Sequence, residues 1–173
     1  MPLRFIRLLS LLAVTASLAA CAGVKPLPEA RLALPAQSPM HGLFEVGAVS
    51  SPGDNPGGWA SGVWNQDAGI LMTSFLRSTT LLADSNARYD INIILQSGSV
   101  KGFGTKTAAE SIRYQIVSTA DQKIVFDQAF DSTHDVAGDE TFLGIIRIHR
   151  AIEGATRDNY NMFFEKLAAT KLP

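Results

Sequence analysis

The stretch GSVKGFGTKT, Gly98 to Thr107, combines three glycines with two lysines, the residue types that cradle phosphate. A phosphate-binding Walker loop needs glycine directly before its lysine, and it opens a helix after a strand. Here Thr105 separates Gly104 from Lys106, and Thr107 stands where a dinucleotide fingerprint requires its third glycine. The segment also joins two strand-like stretches, so it reads as a glycine-rich hairpin loop. Lys101, Phe103 and Lys106 are its candidate contacts to an anionic lipid or a protein partner. The stretch GWASG fails as a nucleophile elbow, because Trp59 occupies the position two before Ser61 and no strand leads into it. It reads as a loop entering a helix, with Ser61 or Asn65 as N-cap. Trp59, beside the loop SSPGDNPGG, is a further candidate contact. His149 and Glu153 lie four apart and share one side of a helix, a spacing compatible with a metal. A structural metal site wants four ligands, and His41 and His134 are remote in sequence. A surface ion pair or a partly buried histidine is the better reading. Asp139 and Glu140 read as charges favoured at a helix start. No catalytic residue, cofactor or metal site is expected.

Cys21 is the sole cysteine of the 173 residues. Arg4 and Arg7 give the chain a positive start, Leu8 to Ala16 continue as a short apolar stretch, and Ser17 to Ala20 are mostly small. That order is a secretory signal peptide. The 13 residues from Leu8 to Ala20 fall short of the roughly 20 that a membrane-spanning helix needs. Leu18-Ala19-Ala20-Cys21 resembles the bacterial lipobox. The resemblance implies diacylglycerol on the Cys21 thiol, cleavage before Cys21, and a further acyl chain on the freed amine. Two chains make a lasting anchor where one is marginal, at about 0.8 kcal/mol per buried methylene. The competing readings are a free buried cysteine and an unlipidated secreted protein. Position, context and solitude favour the tether, and a lone cysteine excludes an internal disulfide framework.

The elements of the chain must position these residues. Residues 1–20 read as the cleaved signal peptide, 21–40 as the lipidated cysteine with a proline-rich linker, and 41–173 as a single domain. Without Arg4 and Arg7 the charge is 13 − 16 = −3 with histidines neutral, and no basic face is visible for nucleic acid. Prolines 26, 28, 35 and 39 mark Ala22 to Pro39, 18 residues in all. In polyproline geometry, at about 3.1 Å per residue, they reach roughly 55 Å. The alternative is that Arg31 to Leu34 pack on the body.

Leu43 to Val49 reads as a first strand. Trp64, Ala68, Leu71, Phe75 and Leu82 recur at helical spacing, giving a helix from Trp59 or Asn65 to Leu82, ended by Asp84 to Asn86. Trp64 falls on the buried stripe. Tyr89, Ile91, Ile93 and Leu95 alternate with Arg88, Asp90, Asn92 and Gln96, the period of a strand with one buried face. Ile112, Tyr114 and Ile116 repeat the pattern, and Ser118 to Gln122 turns the chain into Lys123 to Thr133. These three strands read as an antiparallel meander. Ile145, Ile148, Ile152, Ala155, Asn159 and Phe163 mark a helix over Asp139 to Ala168, with Asn159 expected to hydrogen-bond the sheet or a loop. The fold class is α+β, a two-layer sandwich in the order β-α-β-β-β-α. Two helices cover one face of a mostly antiparallel four-stranded sheet. A crossover helix permits a parallel neighbour for the first strand.

The strands ARYDINIIL and ESIRYQIVSTADQKIVFD and the helical FLGIIRIHRAIEGATRDNYNMFFEKL give a layout, over His41 to Leu167, that resembles small Gram-negative envelope lipoproteins. Among these are the LPS-assembly lipoprotein, the auxiliary lipoproteins of ABC-type lipid transporters and the amino-terminal domain of TolB. The resemblance implies a non-catalytic accessory module on the periplasmic side of an envelope membrane, with an envelope protein as partner. Ala22 after the cysteine implies outer-membrane sorting. The rival expectation is an envelope enzyme acting on lipid or cell wall, its site assembled from distant residues.

Overall fold

The computed structural model describes residues 39–51, 60–140 and 143–173, and of residues 60–67 the backbone alone. Cys21, residues 22–38 of the linker, Trp59 and the Trp64 side chain lie outside the described residues. The elements run β1 (Phe44–Ser50), α1 (Ala60–Ser78), β2 (Tyr89–Lys101), β3 (Lys106–Ser118), β4 (Ile124–Val136) and α2 (Gly144–Ala168). The sheet order is β1-β2-β3-β4. β1 runs parallel to β2, as the α1 crossover permits, and the other two pairings are antiparallel.

Alternation decides which face is dry. Tyr89, Ile91, Ile93 and Leu95 of β2 are buried together with Ile112, Tyr114 and Ile116 of β3 and Phe126 and Phe130 of β4. Met72, Phe75 and Leu76 of α1 and Tyr160, Phe163, Phe164 and Leu167 of α2 join the same core, so both helices cover this face. The Phe163 ring stacks on Tyr114 with centroids 4.2 Å apart, and Phe75 stacks on Phe164 at 4.8 Å. Such pairs add about 0.5–1.5 kcal/mol each beyond their burial. The Tyr160 hydroxyl donates to the Ala68 carbonyl at 2.6 Å and ties the two helices together.

Three local expectations are corrected. The α1 helix stops at Ser78, not Leu82. Thr80 takes the left-handed conformation (φ 59°), Leu81 N–H bonds the Leu76 carbonyl at 2.8 Å, and Thr80 N–H bonds that of Arg77 at 3.2 Å. That is the Schellman closure, and it frees Leu82 to bridge Phe44 of β1. At the other end α1 already contains Ser61 and Asn65, so neither is its N-cap. The α2 helix begins at Gly144, with Leu143 as N-cap and no acidic residue in its first turn. Asp139 and Glu140 lie in the preceding turn, where the Glu140 carboxylate accepts from the Ala137 N–H at 3.2 Å. They are not the helix-start charges that their sequence position implied.

Gly98 to Thr107 is not a loop throughout. β2 runs on through Lys101 and β3 starts at Lys106, leaving Gly102 to Thr105 as the turn. A bulge between Leu95 and Ser97 resets the pleat, so that Val100 faces the helix side beside Ala108.

Candidate functional site

The turn from Gly102 to Thr105 crowns the long hairpin of β2 and β3. Gly102 has φ +96°, and a Cβ added there would stand 2.1 Å from the Thr105 carbonyl oxygen, so only glycine closes this turn. The Lys106 ammonium donates back to the Gly102 carbonyl. Between the glycines Phe103 is 100 % exposed. Lys101 is exposed and Lys106 half-buried. The structure thus brings Lys101, Phe103 and Lys106 to one protruding end.

The start of α2 belongs to the same end. Gly138 backs onto the Gly104 backbone, with only about a side chain's width between them, and the Arg147 guanidinium donates to the Gly138 carbonyl at 2.7 Å. Leu143 and Ile145, 55 % and 52 % exposed, flank the point where the chain enters α2. The sequence stripe places Ile145 inside. The structure turns it out, because small residues, Ala151, Gly154 and Ala155, make the close contact with the sheet. Leu143 carried no sequence signal, since it fell inside the expected helix but off its stripe, and the structure places it just before the helix.

The residues read as possible chemistry do not assemble. His41 sits by the C-terminus of α1, its ring 3.3 Å from the Thr80 carbonyl. His134 pairs with Asp158 at 2.9 Å across β4 and α2. His149 is exposed, and Glu153 pairs with Arg157 at 3.2 Å rather than with His149. Among the described residues no three His, Cys, Asp or Glu side chains come together as a metal would require.

A polar network lies inside the sandwich. Asn159, fully buried, accepts from the Tyr114 hydroxyl at 2.7 Å and donates to the Phe130 carbonyl at 2.8 Å and to the Ser132 hydroxyl at 3.1 Å. The expectation that Asn159 binds the sheet holds. Beside it the Thr156 hydroxyl donates to the buried Glu110 carboxylate at 3.1 Å. Burial pushes the Tyr114 and Tyr160 phenols well above their ordinary range, and neither titrates near neutrality. These groups lie under α2, and their bonds fix the register of helix on sheet.

The other face of the sheet is polar and uncovered by either helix. Asp127 of β4 meets Arg113 of β3 in a two-pronged pair, both contacts at 2.6 Å. That pairing holds Asp127 below the usual carboxylate range. At the β1 edge Glu45 sits beside Asp90, and the shared hydrogen bond and like charge raise the Glu45 pKa. A shallow cleft of about 550 Å³ lies at the α1–β1 edge, lined by Val46, Ile70, Thr73 and Arg77, with no His or carboxylate among its described lining residues.

No family model and no curated protein matches the chain. Solved structures do share its fold. The hypothetical protein CT253 from Chlamydia trachomatis superposes with a TM-score of 0.54 at 8 % identity, over 74 % of this chain and 96 % of that one. Protein XCC0632 from Xanthomonas campestris gives 0.51 at 13 % identity, over 79 % and 90 %. A minor lipoprotein from Acinetobacter baumannii gives 0.48 at 9 % identity, over 77 % and 97 %. The likeness to the first two, at these identities, shows the fold alone.

Proposed function

We propose that the chain is a lipid-anchored cell-envelope protein, held on the periplasmic side of the outer membrane through acyl chains on Cys21. There it acts as a non-catalytic binding, assembly or transport-accessory module. The observation that carries this reading is Leu18-Ala19-Ala20-Cys21, a lone cysteine placed directly after a short apolar signal segment. The acyl chains confine the domain, the proline-rich linker sets its reach, and confinement raises its effective concentration at envelope partners without any new contact.

Mass spectrometry of the processed terminus, with phase partitioning of the Cys21→Ser variant, tests the reading. The expected result is a diacylglyceryl adduct on Cys21 and loss of the variant from the detergent phase. An unmodified Cys21 with unchanged partitioning overturns it.

A further inference from the structure

Resting on the anchored reading, we propose that the Gly102–Thr105 tip and the first turn of α2 dip into a bilayer surface, a second and weaker attachment that orients the tethered domain.

Three of the six exposed large hydrophobic residues among the described ones, Phe103, Leu143 and Ile145, gather at this end. Phe103 stands on a turn that only glycine closes, so the ring is presented rather than collapsed onto the body. A protein partner would need about 800 Å² of matching surface per side, more than a four-residue turn presents. A bilayer accepts a lone ring without shape complementarity, and aromatic rings settle at its interface. Beside the apolar group Lys101 has a long stem that can lie along it while its charge stays in water, and Lys106 and Arg147 are bonded to the Gly102 and Gly138 carbonyls. Asp135, across from Thr107, and Asp139 and Glu140, in the turn before α2, sit at the same end. The local charge is therefore nearly balanced, and attachment rests on the apolar side chains.

Reach permits the contact. The chain enters at the far end of the sheet, where the Arg88 and Tyr89 amides bond the Leu43 carbonyl. From Tyr89 to Lys101 the hairpin rises about 40 Å. Extended in polyproline geometry, as its sequence leads one to expect, the linker would span roughly 55 Å, more than that height, so the tip could come down on the leaflet that holds the acyl chains.

The test uses the full lipidated chain in vesicles of phosphatidylethanolamine and phosphatidylglycerol containing nitroxide-labelled lipid. A fluorophore is placed at Thr105→Cys, with Ala129→Cys on the open sheet face as reference. Quenching at 105 is expected to exceed that at 129 at least twofold, to fall to the reference level in Phe103→Asp, and to change less than twofold in Lys101→Ala/Lys106→Ala. Equal quenching at both sites, or quenching at 105 that survives Phe103→Asp, overturns the proposal. A Phe103→Ser variant with an unchanged melting curve guards against misfolding. A chain that fails to float with the vesicles sinks the anchored reading and the proposal together. Flotation without quenching at 105 sinks the proposal alone.

Discussion

The two ends of the sandwich are built from different material. Near Tyr89 the space between sheet and helices is filled by Phe44, Phe75, Tyr114, Tyr160, Phe163 and Phe164. Toward the hairpin tip the same layer thins to Ala108, Val136, Ala151 and Ala155. Rings bury far more apolar area than alanines, and stabilisation scales with that area. The aromatic end therefore carries the stability of the fold. The tip end keeps its large side chains on the outside, where they cost solubility and add nothing to the core. That allocation is expected of a domain whose contacts lie at one end.

The contrast can be broken by mutation. Phe163 meets Tyr114, Phe126, Phe130 and Phe164, so Phe163→Ala should cost about 3–5 kcal/mol in urea unfolding. A loss below about 1.5 kcal/mol would mean that the aromatic end does not hold the fold.

Gly154→Ala probes the thin layer. A Cβ there would stand 2.2 Å from the His134 ring, and overpacking of this kind costs about 1–3 kcal/mol. Helix propensity alone would give a gain of about 1 kcal/mol, so the sign of the change decides which effect wins. The double variant with His134→Ala should recover much of the loss.

At the β1 edge Asp90→Asn should stabilise by about 0.5 kcal/mol at pH 7, because it removes a like charge directly opposite Glu45. Glu45 keeps its proton to higher pH in the folded chain than its ordinary value of 4.5. The repulsion is thus absent below that value and grows as the pH rises through the folded pKa. The advantage of the variant in thermal melts should vanish in acid. An equal gain at pH 3 and pH 7 would contradict the pairing. Smallest of all, Phe103→Ala should leave stability within about 0.5 kcal/mol of the parent, since its ring touches nothing that folds.

Much of the aromatic end was legible in the sequence, because strict alternation over Tyr89 to Leu95 and over Ile112 to Ile116 leaves one register that buries both sets. The tip end was legible only in part. Lys101, Phe103 and Lys106 stood out by type, but glycine content disguised Gly98 to Lys101 as loop, and only pairing with Thr107 to Glu110 makes it strand. In α2 the expected stripe holds at Ala155, Asn159 and Phe163, but its first half, where the stripe names Ile145 and Ile148, meets the sheet through Ala151, Gly154, Ala155 and Thr156. A hydrophobic stripe does not register contacts made by small residues. The left-handed Thr80 that ends α1 is likewise invisible, since a β-branched residue is a poor candidate for that conformation.

Amide hydrogen exchange on the lipidated chain, in native envelope membranes and after detergent extraction, tests the division of labour most directly. Extra protection in the membranes is predicted over residues 98–107 and 143–147, with 89–95 and 159–167 unchanged. Protection gained instead on the open sheet face at Arg113 and Asp127, with the tip unaltered, would contradict it.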